Sequence, residues 1–144
     1  MIAKTVKYKD YNGVEREEKF FFNLTKAEIT EMELSVNGGL ADQIQSIINA
    51  KDTPSIIKIF KELLLKSYGE KSIDGKRFIK TDDKGVPLSQ KFAETEAYSV
   101  LFMELATDDA KAAEFVNGIL PADLDKDELN KRVQEELNKQ ENNN

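Results

Sequence analysis

Residues 90–106, QKFAETEAYSVLFMELA, carry apolar side chains at Phe92, Ala93, Ala97, Tyr98, Val100, Leu101, Phe102, Met103 and Leu105. On a helical wheel these surround almost the whole circumference. A helix with one apolar stripe can lie on a surface, but one that is apolar nearly all round has to be covered on several sides. Such a helix, capped by Ser89, is expected at the centre of the domain with the remaining elements wrapped around it. The alternative is that one of its sides meets a partner chain; the buried reading is favoured because a bare apolar strip is an aggregation liability in a lone monomer. A chain of 144 residues is long enough for one such domain, burying roughly 68–70% of the surface its unfolded form exposes.

The elements available to do the wrapping are mostly helical. At the N-terminus, Ile2, Val6 and Tyr8 share one face of an extended strand, Asn12-Gly13 supplies a turn, and Val14, Phe20 and Phe22 share one face of the return strand, with Phe21 pointing the other way. Two strands are marginal alone in water, so the Phe20/Phe22 face must pack on helices. Leu24 to Ile29 then hold a complete helix start: Thr25 as N-cap, Glu28 as its capping-box partner, Leu24 and Ile29 as a hydrophobic staple. That helix is expected to end near Asn37-Gly38-Gly39, and Leu40, Ile44, Ile47 and Ile48 recur at helical spacing after it. Thr53-Pro54 opens a further helix, with Ile56, Ile57, Ile59, Phe60, Leu63, Leu64 and Tyr68 as its apolar arc and Gly69 as its stop. Thr107 starts another, with Asp108 and Asp109 in the first turn and Gly118 at the end. The pattern predicts a mainly α fold with a small N-terminal β-hairpin, an α+β arrangement dominated by a compact helical domain. Residues 1–121 form the globular part, 1–24 as hairpin and 25–121 as helical core. Residues 122–144 read as an acidic C-terminal helix followed by a disordered Asn-rich tail.

Composition removes most chemistry. With neither cysteine nor histidine, the chain has no disulfide, thiolate or imidazole metal ligand, and no Ser-His or Cys-His nucleophile pair. A net charge of −6 argues against nucleic acid as the main partner, since duplex binding draws on clustered cations. The charge is uneven: residues 66–91 hold seven Lys/Arg against four Asp/Glu, whereas 92–144 hold five against thirteen. Such polarity can guide a partner or be merely an uneven solvated surface. The segment YGEKSIDGKRF, Tyr68 to Phe78, resembles a phosphate-binding loop only superficially. Five residues separate Gly69 from Gly75, and Arg77 stands where the Mg²⁺-binding hydroxyl should be. A loop with a turn at Asp74-Gly75 and a short extended return anchoring Phe78 and Ile79 fits it better. Asp123, Asp125 and Asp127 have the alternate spacing of a calcium loop, but Glu128 replaces its turn glycine and Gln134 its bidentate glutamate. A catalytic pair at Asp108 and Asp109 competes with their plain role at a helix start. An enzyme built from Tyr68, Lys76, Arg77 and Tyr98 has no spacing to support it. No cofactor, metal or catalytic residue is assigned. Leu129, Val133 and Leu137, four residues apart on an otherwise polar helix, are the protein-binding candidates: three apolar residues cannot hold a helix in water without something to pack on. The partner surface is either another protein or the chain's own domain.

The runs GEKSIDGKRFIK and FAETEAYSVLFMELATDDAKAAEFVNGILP, with FFFNLTKAEITEMELSVNGGL before them, resemble the tail assembly chaperones of long-tailed bacteriophages of Gram-positive hosts over about residues 20–121. The resemblance implies a small, acidic, non-enzymatic protein of the host bacterial cytoplasm. It would bind the hydrophobic tape measure protein, with the major tail protein as a second partner and homo-oligomers as a further form, and keep the tape measure soluble while the tail tube polymerises around it. It would be absent from the mature virion. Family members are often made in two lengths by a programmed frameshift, and residues 122–144 lie where such a junction falls. The competing readings are a structural phage component, such as a head–tail connector or tail completion protein, and a small carboxylate/Lys-based enzyme. The residue content also makes a prediction: thermal melting should be unmoved by EDTA, Ca²⁺ or ATP, since a native-state ligand at a hundred times its dissociation constant adds about 2.7 kcal/mol. A shift of several degrees with any of them would contradict it.

Overall fold

Two eight-residue strands, β1 (Ile2–Lys9) and β2 (Glu15–Phe22), pair antiparallel along their whole length, from Ile2 opposite Phe22 to Lys9 opposite Glu15. In the computed structural model, which describes residues 1–35 and 53–121, alternate residues of this hairpin face inward. Val6 and Phe22 are buried, and Ile2, Tyr8 and Phe20 pack against the core beside them. Val14, expected on the same face, stands exposed outside the strand. The connection is not a two-residue turn centred on Asn12-Gly13. The Gly13 N–H donates to the Asp10 carbonyl and the Asp10 N–H to the Val14 carbonyl, each at 2.9 Å, with Gly13 at φ +80°. This is a three-residue loop closed by a glycine in the left-handed region. The Asp10 carboxylate fixes it by accepting the Asn12 and Val14 N–H groups, both at 2.9 Å. The same Asp-x-x-Gly-Val device recurs at 82–86, where Asp82 accepts from the Lys84 and Val86 N–H groups and Gly85 again sits at φ +80°.

The first helix, α1 (Lys26–Ser35), starts as its capping box dictates. Glu28 donates its N–H to Thr25 Oγ1 at 3.1 Å, and the Thr25 N–H returns to Glu28 Oε1 at 3.0 Å. Leu24 and Ile29 are both buried. The next described helix, α2 (Thr53–Ser67), buries Phe60, Leu63 and Leu64. It does not run to a stop at Gly69. The chain turns straight from Ser67 into β3 (Tyr68–Lys71), which pairs with β2 at Phe22 and Phe21, and then into β4 (Phe78–Ile79). The fold class therefore needs correction. The described residues hold five helices and a four-stranded antiparallel sheet in the order β1-β2-β3-β4, a compact α+β fold instead of a mainly helical one. Gly69 is a strand residue, needed because Phe78 covers it: a Cβ there would lie 2.4 Å from Phe78 Cε1 and 2.8 Å from the Ile79 carbonyl oxygen.

The expected 90–106 helix is two helices, α3 (Leu88–Phe92) and α4 (Glu96–Ala106). Thr95 breaks them, accepting the Tyr98 N–H at 3.2 Å as the N-cap of α4, while Ser89 lies inside α3 and caps nothing. The central position assigned to this segment is correct. Phe92, Ala97, Leu101 and Leu105 are buried, Tyr98, Val100 and Phe102 pack against the core, and only Met103 of its large apolar residues is exposed. The last described helix, α5 (Asp109–Ile119), is capped by Asp108, which accepts the Ala110 and Lys111 N–H groups at 3.1 Å; Thr107 ends α4 instead. Gly118 lies within α5 and not at its end, and its missing side chain admits Ile2, whose Cδ1 would be 2.7 Å from a Cβ. Helices α4 and α5 pack on β1 and α3 packs on β3, so the helices cover the Val6/Phe22 face of the sheet.

The expected helix carrying Leu40, Ile44, Ile47 and Ile48, the stripe Leu129, Val133 and Leu137, and Asp123, Asp125 and Asp127 lie outside the described residues. Gly69 provides the sharpest test of the sheet. Gly69→Ala should cost about 1–3 kcal/mol, the range for forcing atoms into packed space, and Phe78→Ala in the same chain should recover part of it. A Gly69→Ala protein with the parent's urea midpoint would mean that Phe78 does not lie over the strand.

Candidate functional site

A groove of about 530 Å³ opens between α1, the end of α2 and the 80–89 segment. Its floor is apolar, from Leu24, Met32, Leu65, Tyr68 and Pro87, and polar groups border it at Glu28, Glu31, Lys66, Lys80, Thr81 and Ser89. Each wall has a local cause. The capping box fixes the first turn of α1 and so Glu28. The Asp82 loop brings Pro87 back opposite Thr81. Lys80 ties the walls together: its ammonium donates to the Asn23 carbonyl at 2.8 Å and pairs with Glu28 Oε2. Burial pushes the Glu28 carboxyl up, but the Lys80 ammonium and the Thr25 N–H outweigh it, and its pKa ends below the usual value.

The other face of the sheet is polar with two aromatic exceptions. Lys7 lies opposite Glu17 and Lys9 opposite Glu15, all exposed. Phe21 and Phe78 are half-buried there, each with an ammonium 5.7 Å from its ring centroid, Lys19 over Phe21 and Lys80 over Phe78. The hairpin tips expose Tyr11, Ile73 and Val86 singly, which is ordinary for a soluble surface.

The four residues from which an enzyme might be assembled are not brought together. Tyr68 stacks on Phe92 with centroids 4.1 Å apart and Tyr98 meets the same ring edge-on at 5.7 Å, whereas Lys76 and Arg77 stand exposed in the β3–β4 loop. Burial, followed by Glu70 and Glu18, raises the Tyr68 phenol, and burial raises that of Tyr98, which keeps both protonated at neutral pH. Asp108 is engaged as a helix cap. The 68–78 stretch is a β-hairpin with Gly75 at φ +75° and the Asp74 carboxylate accepting from Ser72 Oγ at 2.7 Å. A strand follows it where a phosphate loop requires a helix. Among the described residues no group of three acidic side chains is placed to hold a metal ion, and no helix is long and apolar enough to cross a membrane.

The groove is walled by α1 and the end of α2. The model of one protein family, described as phage tail assembly chaperone, matches residues 1–144. The chain belongs to the phage tail assembly chaperone family. The match extends at both ends beyond the 20–121 stretch that carries the resemblance in sequence, taking in β1 and the C-terminal segment. No curated protein and no solved structure matches the chain. Membership makes phage tail proteins its class of partner and tail assembly its role. The groove itself was not legible in this chaperone's sequence, because its lining comes from α1, α2, β3 and the 80–89 segment at once.

The Lys80–Glu28 pair predicts a pH dependence. Because Glu28 titrates lower folded than unfolded, its contribution to stability is present above the unfolded carboxylate pKa and is lost as pH falls through the lower folded value. Lys80→Met should cost about 1 kcal/mol at pH 7, discounted for partial exposure, and the gap should narrow in urea melts at pH 3, in the direction in which Glu28 takes up its proton. A gap as wide at pH 3 as at pH 7 would assign the cost to packing alone.

Proposed function

We propose that this chaperone binds the tape measure protein and keeps it soluble while the tail tube protein polymerises around it, and that it leaves no copy in the mature virion. The observation that carries the proposal is the family match along the full chain. The groove supports it independently of sequence likeness. A tape measure is a long apolar helical client, and an amphipathic helix is taken up by laying its apolar face into a hydrophobic groove. Leu65, Tyr68 and Pro87 offer apolar surface there, with Glu28, Lys66 and Lys80 at the rim to hold polar flanks. The role is non-enzymatic and its site is the host bacterial cytoplasm, with the major tail protein as a second partner.

Co-expression with the tape measure protein of the same phage is the direct test. The expected result is a soluble tape measure that co-purifies with the chaperone, and a weakened complex when Leu65, half-buried in the groove, is changed to Lys without loss of the chaperone's own melt. An insoluble tape measure with free chaperone in the supernatant would overturn the client. A complex indifferent to Leu65→Lys would keep the client and move it off the groove.

A further inference from the structure

The sheet has one long open edge. Strand β1 is its first member, and among the described residues no strand pairs with β1 on the side away from β2. Opposite residues of an antiparallel pair alternate between bonded and non-bonded positions. The Asp10 N–H donates to the Val14 carbonyl, and that pair continues the register that sets Ile2 opposite Phe22, so the even-numbered residues of β1 are the ones bonded to β2. The far side of β2 agrees. The Asn23 N–H donates to the Ser67 carbonyl in line with the Phe21–Gly69 pairing, which turns the odd-numbered residues of β2 toward β3. On β1 the odd-numbered residues Ala3, Thr5, Lys7 and Lys9 therefore direct their backbone N–H and C=O groups outward, and all four are exposed.

Proteins blunt such an edge by shortness, by proline, by a bulge or by charged side chains, lysine above all. Strand β1 has eight residues, no proline and an unbroken register, whereas β4 at the other edge has two residues. Only lysine is left. Lys4, Lys7 and Lys9 are the charged residues of the strand, with no acid among them. Glu15 and Glu17 stand opposite Lys9 and Lys7 on β2, but a strand added to β1 lies about 4.8 Å from the lysine strand and about twice that from the glutamates. Two β1 strands brought edge to edge would set six lysines together, three from each. An acidic strand meets the opposite charge at the same positions.

We propose that the open edge of β1 is a docking site for an extended protein segment in which apolar and acidic residues alternate, added to the sheet as a further strand. Its backbone pairs with the outward groups of Ala3, Thr5, Lys7 and Lys9, and main-chain bonds of this kind supply the affinity in strand addition. Its acidic residues lie on the polar face of the sheet beside Lys7 and Lys9. Its apolar residues lie on the opposite face beside Ile2, Val6 and Tyr8, at the margin of the core. The edge shares no residue with the groove between α1 and α2. The inference therefore does not depend on which client, if any, the groove takes.

The test is amide hydrogen exchange of the full chain with a capped peptide, as long as β1, that alternates Val and Glu, and with its Val/Lys counterpart. With the Val/Glu peptide at millimolar concentration, exchange at Thr5, Lys7 and Lys9 should slow at least about tenfold, while Lys4, Val6 and Tyr8, already bonded to β2, should change little. Thr5→Pro removes an N–H that β2 does not use, so its melt should stay near the parent's while the protection at Lys7 is lost. Lys7→Gln with Lys9→Gln keeps the backbone donors and should weaken the peptide about fivefold, through two lost cross-strand charge pairs. Odd-numbered amides that the Val/Glu peptide leaves unprotected would overturn the proposal. Equal protection by the Val/Lys peptide would overturn it too, since the edge would then be indifferent to charge. Protection that rises with protein concentration in the absence of peptide would overturn it in favour of a second copy.

Discussion

Phe22 is where the sheet and the helices become one body. Its ring is fully buried, and rings from three other parts of the chain meet it: Tyr68 at 5.8 Å, Phe92 at 6.0 Å and Phe115 at 5.2 Å. Those residues begin β3, end α3 and lie in α5, so the last residue of the N-terminal hairpin sets where elements up to almost a hundred positions away are seated. The contacts with Phe92 and Phe115 are edge-on, the arrangement the ring quadrupole favours, and such pairs are worth about 0.5–1.5 kcal/mol each beyond the area they bury. The hairpin does not stand as an appendage on a helical domain, because its pairing with β3 and this cluster make it half of the sheet and one wall of the core.

The backbone around Phe22 is fastened as closely as its ring. The Asn23 N–H donates to the Ser67 carbonyl at 2.7 Å and the Leu24 N–H to the Ile119 carbonyl at 2.9 Å, so two consecutive residues join the end of β2 to the ends of α2 and α5. Lys80 adds a third link at the Asn23 carbonyl. Three segments distant in sequence converge on Asn23-Leu24, and the groove opens beside that junction. A groove held this way is organised in advance, which under the proposed role lowers the ordering cost that association carries.

What was legible in the sequence was what is local. The capping box at Thr25 and Glu28 acts within one helical turn, the inward alternation of Ile2, Val6, Tyr8, Phe20 and Phe22 follows from the pleat, and the all-round apolar content of 92–105 marks burial in either one helix or two. What failed depends on distant partners. Tyr68-Gly69-Glu70-Lys71 has no strand pattern of its own and is extended because β2 is beside it. Gly69 and Gly118 both read as helix stops, since nothing in sequence announces that Phe78 and Ile2 will take up the space their side chains would need. The break at Thr95 was masked by strong apolar periodicity on both sides. The α+β balance fails for the same reason: the sequence places Tyr68 and Gly69 of β3 at the end of the preceding helix, and it gives the extended return at Phe78 and Ile79 no sheet to join.

Under the proposed role, the groove accounts for how a chain whose described residues bring no reactive set together can act in assembly. Holding an apolar client calls for a surface that is apolar enough to bind and covered enough to stay soluble when empty. Here the floor is sunk between α1 and α2 and bordered by Glu28, Glu31, Lys66 and Lys80, so the apolar area turned to water is small while the site is free. Charges of both signs on the rim tolerate varied flanking sequences along a client, as a strongly one-signed rim would not. The net charge of −6 adds repulsion between copies of the chain.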